Sequence, residues 1–126
     1  MNPETMKFSK SHEWVMLKDG IATIGISDHA QHELNDIVFV ELPPVGKTLS
    51  AGKEFGVVES VKTASDVFSP VSGDVVETNL ELEVHPEYIN QDPYGTGWMI
   101  KVKCTNLAEI DTLMDHTTYQ KSIASE

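Results

Sequence analysis

Short stretches of alternating hydrophobic and polar residues dominate this sequence, and they predict a succession of strands. Residues 12–26 have the pattern of a β-hairpin with its turn at Asp19-Gly20, a pair suited to the positive φ angles of a tight turn. Further β-branched and aromatic stretches predict strands at residues 37–42, 54–60, 63–68, 74–79 and 98–104. Because turn signals recur about every 8–12 residues, we expect a mainly β fold of two small packed sheets.

Helices are predicted to be short and peripheral. Ser27 is placed to cap a helix over residues 29–34, and Asn106 to cap another near the C-terminus. Tyr119 lies in a further segment with helical spacing of apolar residues. The stretch 86–97 is rich in turn-forming residues and predicts a loop.

The charge balance excludes several functional classes. The chain has 126 residues, enough for one domain, with 20 acidic residues against nine basic ones and a net charge of −11. All nine basic residues are lysines. Nucleic-acid binding is disfavoured because it needs a basic stripe, and the lack of arginine removes the usual bidentate clamp for phosphate. A protein partner is expected to be basic.

The sequence favours a cytoplasmic protein. No stretch has the apolar length of a membrane span, and residues 1–14 show neither a secretory apolar core nor an arginine-rich transit pattern. Cys104 is the sole cysteine and has no partner for an internal disulfide.

Lys62 is the residue that the sequence singles out. Residues 54–100 contain nine acidic residues and one basic residue, Lys62, which lies between two predicted strands. One interpretation is a surface lysine in a weak ion pair with Glu59 or Asp66. The other is an amine presented for covalent modification, because Val61-Lys62 is an unusual pair at a hairpin tip that would point the lysine into water.

The segment around Lys62 resembles the lipoyl-attachment region of the glycine cleavage system H proteins. The similar segment is FGVVESVKTASDVFSPVSGDVVETN, residues 55–79, and the resemblance extends through residues 8–15, 21–47, 90–103 and the C-terminal helical region. Biotin carrier domains typically place their lysine between two methionines. The lipoyl domains of 2-oxoacid dehydrogenases usually show Asp-Lys-Ala and lack the SHEW and DPYGxGW segments found here.

The resemblance implies a fold and a cofactor. It implies a barrel-sandwich hybrid of the lipoyl/biotinyl-carrier type, with short peripheral and C-terminal helices. Residues 1–126 would form a single lipoyl-carrier domain whose lipoyl hairpin spans about 54–68. Lys62 would carry lipoic acid in amide linkage. The hairpin context comprises Glu59, Ser60, Val61, Thr63, Ala64 and Asp66.

The resemblance also implies a function and partners. The protein would be a substrate shuttle and not an enzyme. It would take the aminomethyl group of glycine from the pyridoxal-phosphate-dependent P protein to the T protein, and electrons to the flavoprotein L protein. A lipoate-attaching enzyme is a fourth implied partner; nucleic acid and membrane are not expected.

In this family the loaded arm folds back into a cleft on the protein. The matching residues here are Ser11, Glu13, Ile26 and Asp66. Glu13 would bind the ammonium group of the cargo. Family members often have histidine before the leucine that ends the short helix, but here that residue is Glu33 and the histidine is His32. Helical spacing points residue 32 elsewhere, so we expect no histidine contact to the arm.

Other readings stay open at this stage. A lipoyl relay protein that donates lipoate to 2-oxoacid dehydrogenases would have the same sequence near Lys62, and an unmodified interaction module would keep only the fold. His29 and His32 have a spacing that can bind metal, but no third ligand accompanies them, so no metal site is expected. No catalytic residue is expected either, because Cys104 has no neighbouring base in the sequence.

Overall fold

A computed structural model describes residues 2–125 and shows a mainly β architecture. Ten strands are formed: β1 (Lys7–Phe8), β2 (Glu13–Lys18), β3 (Ile21–Ile26), β4 (Ile37–Glu41), β5 (Thr48–Leu49), β6 (Glu54–Ser60), β7 (Ala64–Phe68), β8 (Gly73–Thr78), β9 (Ile100–Cys104) and β10 (Met114–Asp115). The α-helices are α1 (Asp28–Leu34), α2 (Glu81–Val84), α3 (Tyr88–Gln91) and α4 (His116–Ala124). Two 3₁₀ helices span Pro3–Thr5 and Leu107–Thr112.

The strands form two antiparallel sheets, which confirms the predicted sandwich. A seven-stranded sheet has the order β10-β1-β2-β3-β9-β8-β5, and a three-stranded sheet has the order β4-β6-β7. The inner faces of both sheets contribute to one hydrophobic core: Ile24 and Val102 come from the large sheet, and Val40, Val58 and Val67 from the small one. The two sheets do not close into a barrel.

A second, aromatic cluster attaches the C-terminal helix to the large sheet. Phe8, Trp14 and Tyr119 are buried in it, and the rings of Phe8 and Tyr119 stack with centroids 4.4 Å apart. Trp14 lies against Gly25, its register partner on β3. A Cβ atom at Gly25 would come within 2.8 Å of the indole, so this position requires glycine.

Local signals predicted many of the elements correctly. Asp19 and Gly20 have φ angles of 52° and 78°, as the β2–β3 turn requires. The Ser27 hydroxyl accepts a hydrogen bond from the amide of Ala30, and the Asn106 side chain accepts one from that of Ala108, so both predicted caps are confirmed.

Several predicted bounds differ from the structure: β4 ends at Glu41 instead of residue 42, and β8 spans Gly73–Thr78 instead of residues 74–79. The stretch 86–97 is not only a loop, because helix α3 lies within it. The last long strand begins at Ile100 instead of residue 98, since the amide of Trp98 closes a turn by donating to the carbonyl of Gly95. The strand that follows Lys62 begins at Ala64, one residue later than predicted.

Candidate functional site

Lys62 lies at the tip of the β6–β7 hairpin, as predicted. The two strands pair up to Glu59 and Ala64, and the amide of Ser60 then donates to the carbonyl of Thr63 at 2.7 Å. Val61 and Lys62 are therefore the two residues of the connecting loop, and both are exposed. A hairpin held by ladder bonds up to its last pair presents the lysine from a fixed base.

The side chain of Ser60 explains how Val-Lys can occupy such a tight turn. Its hydroxyl accepts hydrogen bonds from the amides of Lys62 and Thr63, each at 3.1 Å. Neither Val61 nor Lys62 is among the residues with positive φ in the described chain. The turn is thus closed by a serine side chain, and it does not need the Asn-Gly geometry of a primed turn.

The side chain of Lys62 is exposed, as expected from the sequence, and its amine also has a partner within the protein. Its Nζ atom donates a 2.9 Å hydrogen bond to the backbone carbonyl of Glu33, in the last turn of α1. The position suits a cation, because unpaired carbonyls give the C-terminal end of a helix a partial negative charge. This contact, and not an ion pair with Glu59 or Asp66, holds the side chain.

Glu13 is a buried carboxylate surrounded by hydrogen-bond donors. Its side chain accepts hydrogen bonds from the hydroxyl of Ser9 at 2.6 Å and from the hydroxyl of Ser11. The amide of Phe68 on β7 donates to its second oxygen at 3.2 Å. Burial raises the pKa of Glu13, while these donors act in the opposite direction. The carboxylate therefore joins the edge of the small sheet to the start of β2.

The residues predicted to line an arm cleft are only partly brought together. Ser11 contacts Glu13 directly, and Ile26 is the register partner of Glu13 and is buried. Asp66 is exposed on β7, two residues before Phe68. Its side chain lines a cavity of about 450 Å³ shared with Glu41 and Gly56. Asp66 therefore makes no side-chain hydrogen bond to Glu13. It lies on the same strand as Phe68, whose amide bonds Glu13.

The histidines of α1 pair with acidic residues of the same helix. His29 lies 3.4 Å from the carboxylate of Glu33, and His32 lies 3.8 Å from that of Asp28. Glu33 occupies the position before the final leucine of the helix. Its backbone carbonyl contacts Lys62, and its carboxylate faces His29. The ring of His29 also lies 4.9 Å from that of His12.

Tyr119 makes contacts that sequence analysis did not predict. Its hydroxyl is 2.8 Å from Nδ1 of His12 and 2.7 Å from Oγ of Ser27, the residue that caps α1. Tyr119 thereby connects the C-terminal helix α4 to α1, the helix whose Glu33 carbonyl accepts the hydrogen bond from Lys62. The helical spacing that flagged Tyr119 predicted its packing but not the partners of its hydroxyl.

Cys104 and the potential metal ligands are the remaining chemical candidates. Burial and the nearby charge of Glu109 raise the pKa of the Cys104 thiol, which disfavours the nucleophilic thiolate. Residues 2–125 contain no group of three or more histidine, cysteine or acidic residues that could hold a metal ion. Of the helices in this part of the chain, none combines the length and apolar character needed to cross a bilayer.

Comparisons with known proteins agree with this geometry. The family model described as Glycine cleavage H-protein matches residues 6–126. The glycine cleavage system H protein of Alcanivorax borkumensis is 52% identical over 124 residues, covering 98% of this chain and 97% of that protein. The one of Carboxydothermus hydrogenoformans is 53% identical, with 98% and 95% covered. The crystal structure of a glycine cleavage system H protein from Mycobacterium marinum superposes with a TM-score of 0.91 at 37% identity, covering 98% of this chain and 99% of that one.

Proposed function

Because the chain belongs to the glycine cleavage H-protein family, we propose that its carrier function resides in Lys62, whose amine bears a lipoyl group in amide linkage. The family is that of the carrier subunit of the glycine cleavage system. The observation that carries the assignment to Lys62 is its position at the exposed tip of the β6–β7 hairpin. An attached group extends from there without displacing any core residue.

The residues around Lys62 fit an amide-linked arm. Ser60 and Thr63 are small and close the turn by hydrogen bonds within the hairpin, so they leave the approach to the amine open. Glu59 and Ala64 are the last paired residues and fix the base of the arm. When bound, a lipoyl group supplies a disulfide that accepts both a carbon unit and electrons. The hairpin supplies a fixed base for the arm, and tethering the lipoyl group to this base raises its effective concentration at successive active sites.

Glu13 is the proposed partner for the cationic cargo. A carboxylate that is buried and already oriented by Ser11 attracts an ammonium group more strongly than an exposed one, because water screens it less. Ile26 beside it provides an apolar wall, and Asp66 adds negative charge along the same strand as Phe68. We infer that these residues shield the loaded arm from water.

The partners we propose are the P, T and L proteins of glycine cleavage together with a lipoate-attaching enzyme. The protein itself acts as a carrier and not as a catalyst. We also infer that residues 1–126 form one carrier domain, because both sheets share a single core. The cytoplasm is the proposed compartment, since it keeps a free thiol such as Cys104 reduced.

Two experiments test this proposal: the mass of the native protein is measured, and the attachment site is substituted. Peptide mapping across Lys62 is expected to show an added mass of about 188 Da, the value for a lipoyl amide. Lys62→Arg is expected to abolish glycine-dependent CO₂ release with purified P, T and L proteins, whereas Lys53→Arg retains it. Unmodified Lys62 in cells that lipoylate other proteins would refute the proposal. A lipoyl mass without support of CO₂ release would favour the relay function instead.

A further inference from the structure

The outer face of the three-stranded sheet carries an apolar patch beside Lys62. Strand register places Phe39 opposite Glu59, and Glu59 opposite Ala64, so these three residues share one face. The opposite face is the core side, where Val40 and Val58 pair and are almost completely buried. Phe39 therefore points away from the core, and half of its surface is exposed.

A β-bulge increases this exposure. The register between β4 and β6 shifts between Ile37 and Phe39, so that Val38 and Phe39 are both exposed, by 54% and 50%. Val61 at the hairpin tip is 69% exposed, and its amide donates to the carbonyl of Asp36, just before β4. Bulges next to functional sites redirect side chains, and exposed apolar residues on an edge strand favour association.

Acidic residues lie on the same outer face as this patch. Glu41 and Asp66 lie farther along the same outer face, on either side of Val57, and Glu59 lies within it. Glu41 and Asp66 also line the 450 Å³ cavity at the far end of the face, whose lining includes Glu54 and one basic residue, Lys47. A partner that fits this surface therefore has an apolar pocket rimmed by lysine or arginine.

We propose that the tip patch, formed by Val38, Phe39 and Val61, is the docking surface for the enzyme that acylates Lys62. The inference rests on the proposed function. The acylating enzyme must bring its reaction centre to Nζ itself. The surface around its active site therefore contacts the residues beside the lysine. Enzymes that use the far end of a loaded arm work a full arm length away and have less need of this contact.

The covalent step defines what docking must achieve. The enzyme supplies an activated acyl group, an acyl adenylate made from lipoate and ATP. The ammonium group of Lys62 first loses a proton to a base, and the free amine attacks the acyl carbon. As the amide bond forms, the nitrogen loses a second proton, the carbon–oxygen bond to AMP breaks, and AMP leaves with the electron pair. No oxidation or reduction occurs. The hydrogen bond between the amine and the carbonyl of Glu33 must break first. Contacts between the enzyme and the tip patch hold the hairpin in place during this step.

The experiment measures lipoylation of the unmodified protein by a purified ATP-dependent lipoate–protein ligase, with intact mass as the readout. Phe39→Ser is expected to lower kcat/KM at least about tenfold, mainly through KM, because buried aromatic anchors dominate interfaces. Phe39→Leu keeps an apolar contact and is expected to retain most of the rate. Leu107→Ser is the matched control, since Leu107 is 53% exposed and lies in the C-terminal 3₁₀ helix.

A second pair of variants tests the charge complementarity. Glu41→Lys is expected to raise KM severalfold and to weaken its dependence on salt, while Asp111→Lys, near the C-terminus, leaves both unchanged. Circular dichroism checks that each variant is folded.

If folded Phe39→Ser is acylated as fast as the unchanged protein, the docking surface is wrong although Lys62 is still the attachment site. If the unchanged protein gains no mass at Lys62, the proposed function fails and this inference fails with it.

Discussion

Lys62 and Glu33 are joined across the space between the β6–β7 hairpin and helix α1, where the lysine amine donates a 2.9 Å hydrogen bond to the glutamate's backbone carbonyl. The unmodified amine thus satisfies a carbonyl in the last turn of α1, where helices commonly leave carbonyls without an intrahelical partner. Acylation would remove the positive charge and leave a single donor at Nζ. Modification is therefore expected to loosen this contact and to release the arm.

Removing the amine is expected to loosen the end of α1. Lys62→Met keeps a long apolar stem but loses the donor. The amide of Asn35, which donates to the carbonyl of Gln31, is then expected to exchange with solvent about two to five times faster, a size suited to one partly exposed hydrogen bond. Hydrogen exchange followed by NMR measures this, with Lys53→Met as the control. Equal exchange in both variants would show that the contact does not stabilise the helix.

Glu13→Gln is expected to stabilise the protein at neutral pH. Because burial raises the pKa of Glu13, the folded protein retains a proton that the unfolded chain has already lost at the same pH. The stability contributed by this group is therefore fully present below the ordinary carboxyl pKa and is lost as pH rises through the raised pKa. The neutral amide avoids this loss, and its gain is about 1.4 kcal/mol for each tenfold increase in the proton affinity of Glu13.

Urea denaturation between pH 4 and pH 8 measures this effect. The difference between Glu13→Gln and the unchanged protein is expected to grow as pH rises. A gain that does not depend on pH would contradict the assignment of the effect to ionised Glu13.

Tyr119→Phe is expected to destabilise the fold by about 1–3 kcal/mol, because it removes the hydroxyl that bonds Nδ1 of His12 and, in a buried setting, Oγ of Ser27. Thermal or chemical denaturation measures the loss. Tyr88→Phe is the control, since the ring of Tyr88 stacks on His85 and is only partly buried. The same loss in both variants would mean that the hydrogen bonds of the Tyr119 hydroxyl add no stability of their own.

The elements set by adjacent residues were predictable from the sequence. The turn at Asp19-Gly20, the cap at Ser27 and the pairing of 54–60 with the strand after Lys62 all depend on neighbours in the chain, and the structure confirms them. The resemblance to the H proteins is confirmed by the comparisons over almost the whole chain. The roles of Lys62 and Glu13 stay predictions.

Contacts between distant segments were not predictable. The carbonyl of Glu33 is a backbone atom 29 residues from Lys62, and a backbone acceptor leaves no signature in the residue type. Helix α3 was missed because it is only four residues long, too short to show a period within a stretch of turn-forming residues. The amide of Phe68 at Glu13 was missed for the same reason as Glu33.

The charge of Glu13 is expected to protect the cationic cargo, so the variant that stabilises the fold impairs the function. Glu13→Gln preserves the size of the side chain and an oxygen for the amide of Phe68, but it loses the negative charge that would hold an ammonium group. The half-life of the loaded protein towards hydrolysis, followed by intact mass, is expected to fall about threefold to tenfold at neutral pH. Glu4→Gln, at an exposed position in the 3₁₀ helix Pro3–Thr5, is expected to keep the original half-life. An unchanged half-life in Glu13→Gln would remove Glu13 from the cargo site, while its pH-dependent gain in stability would still stand.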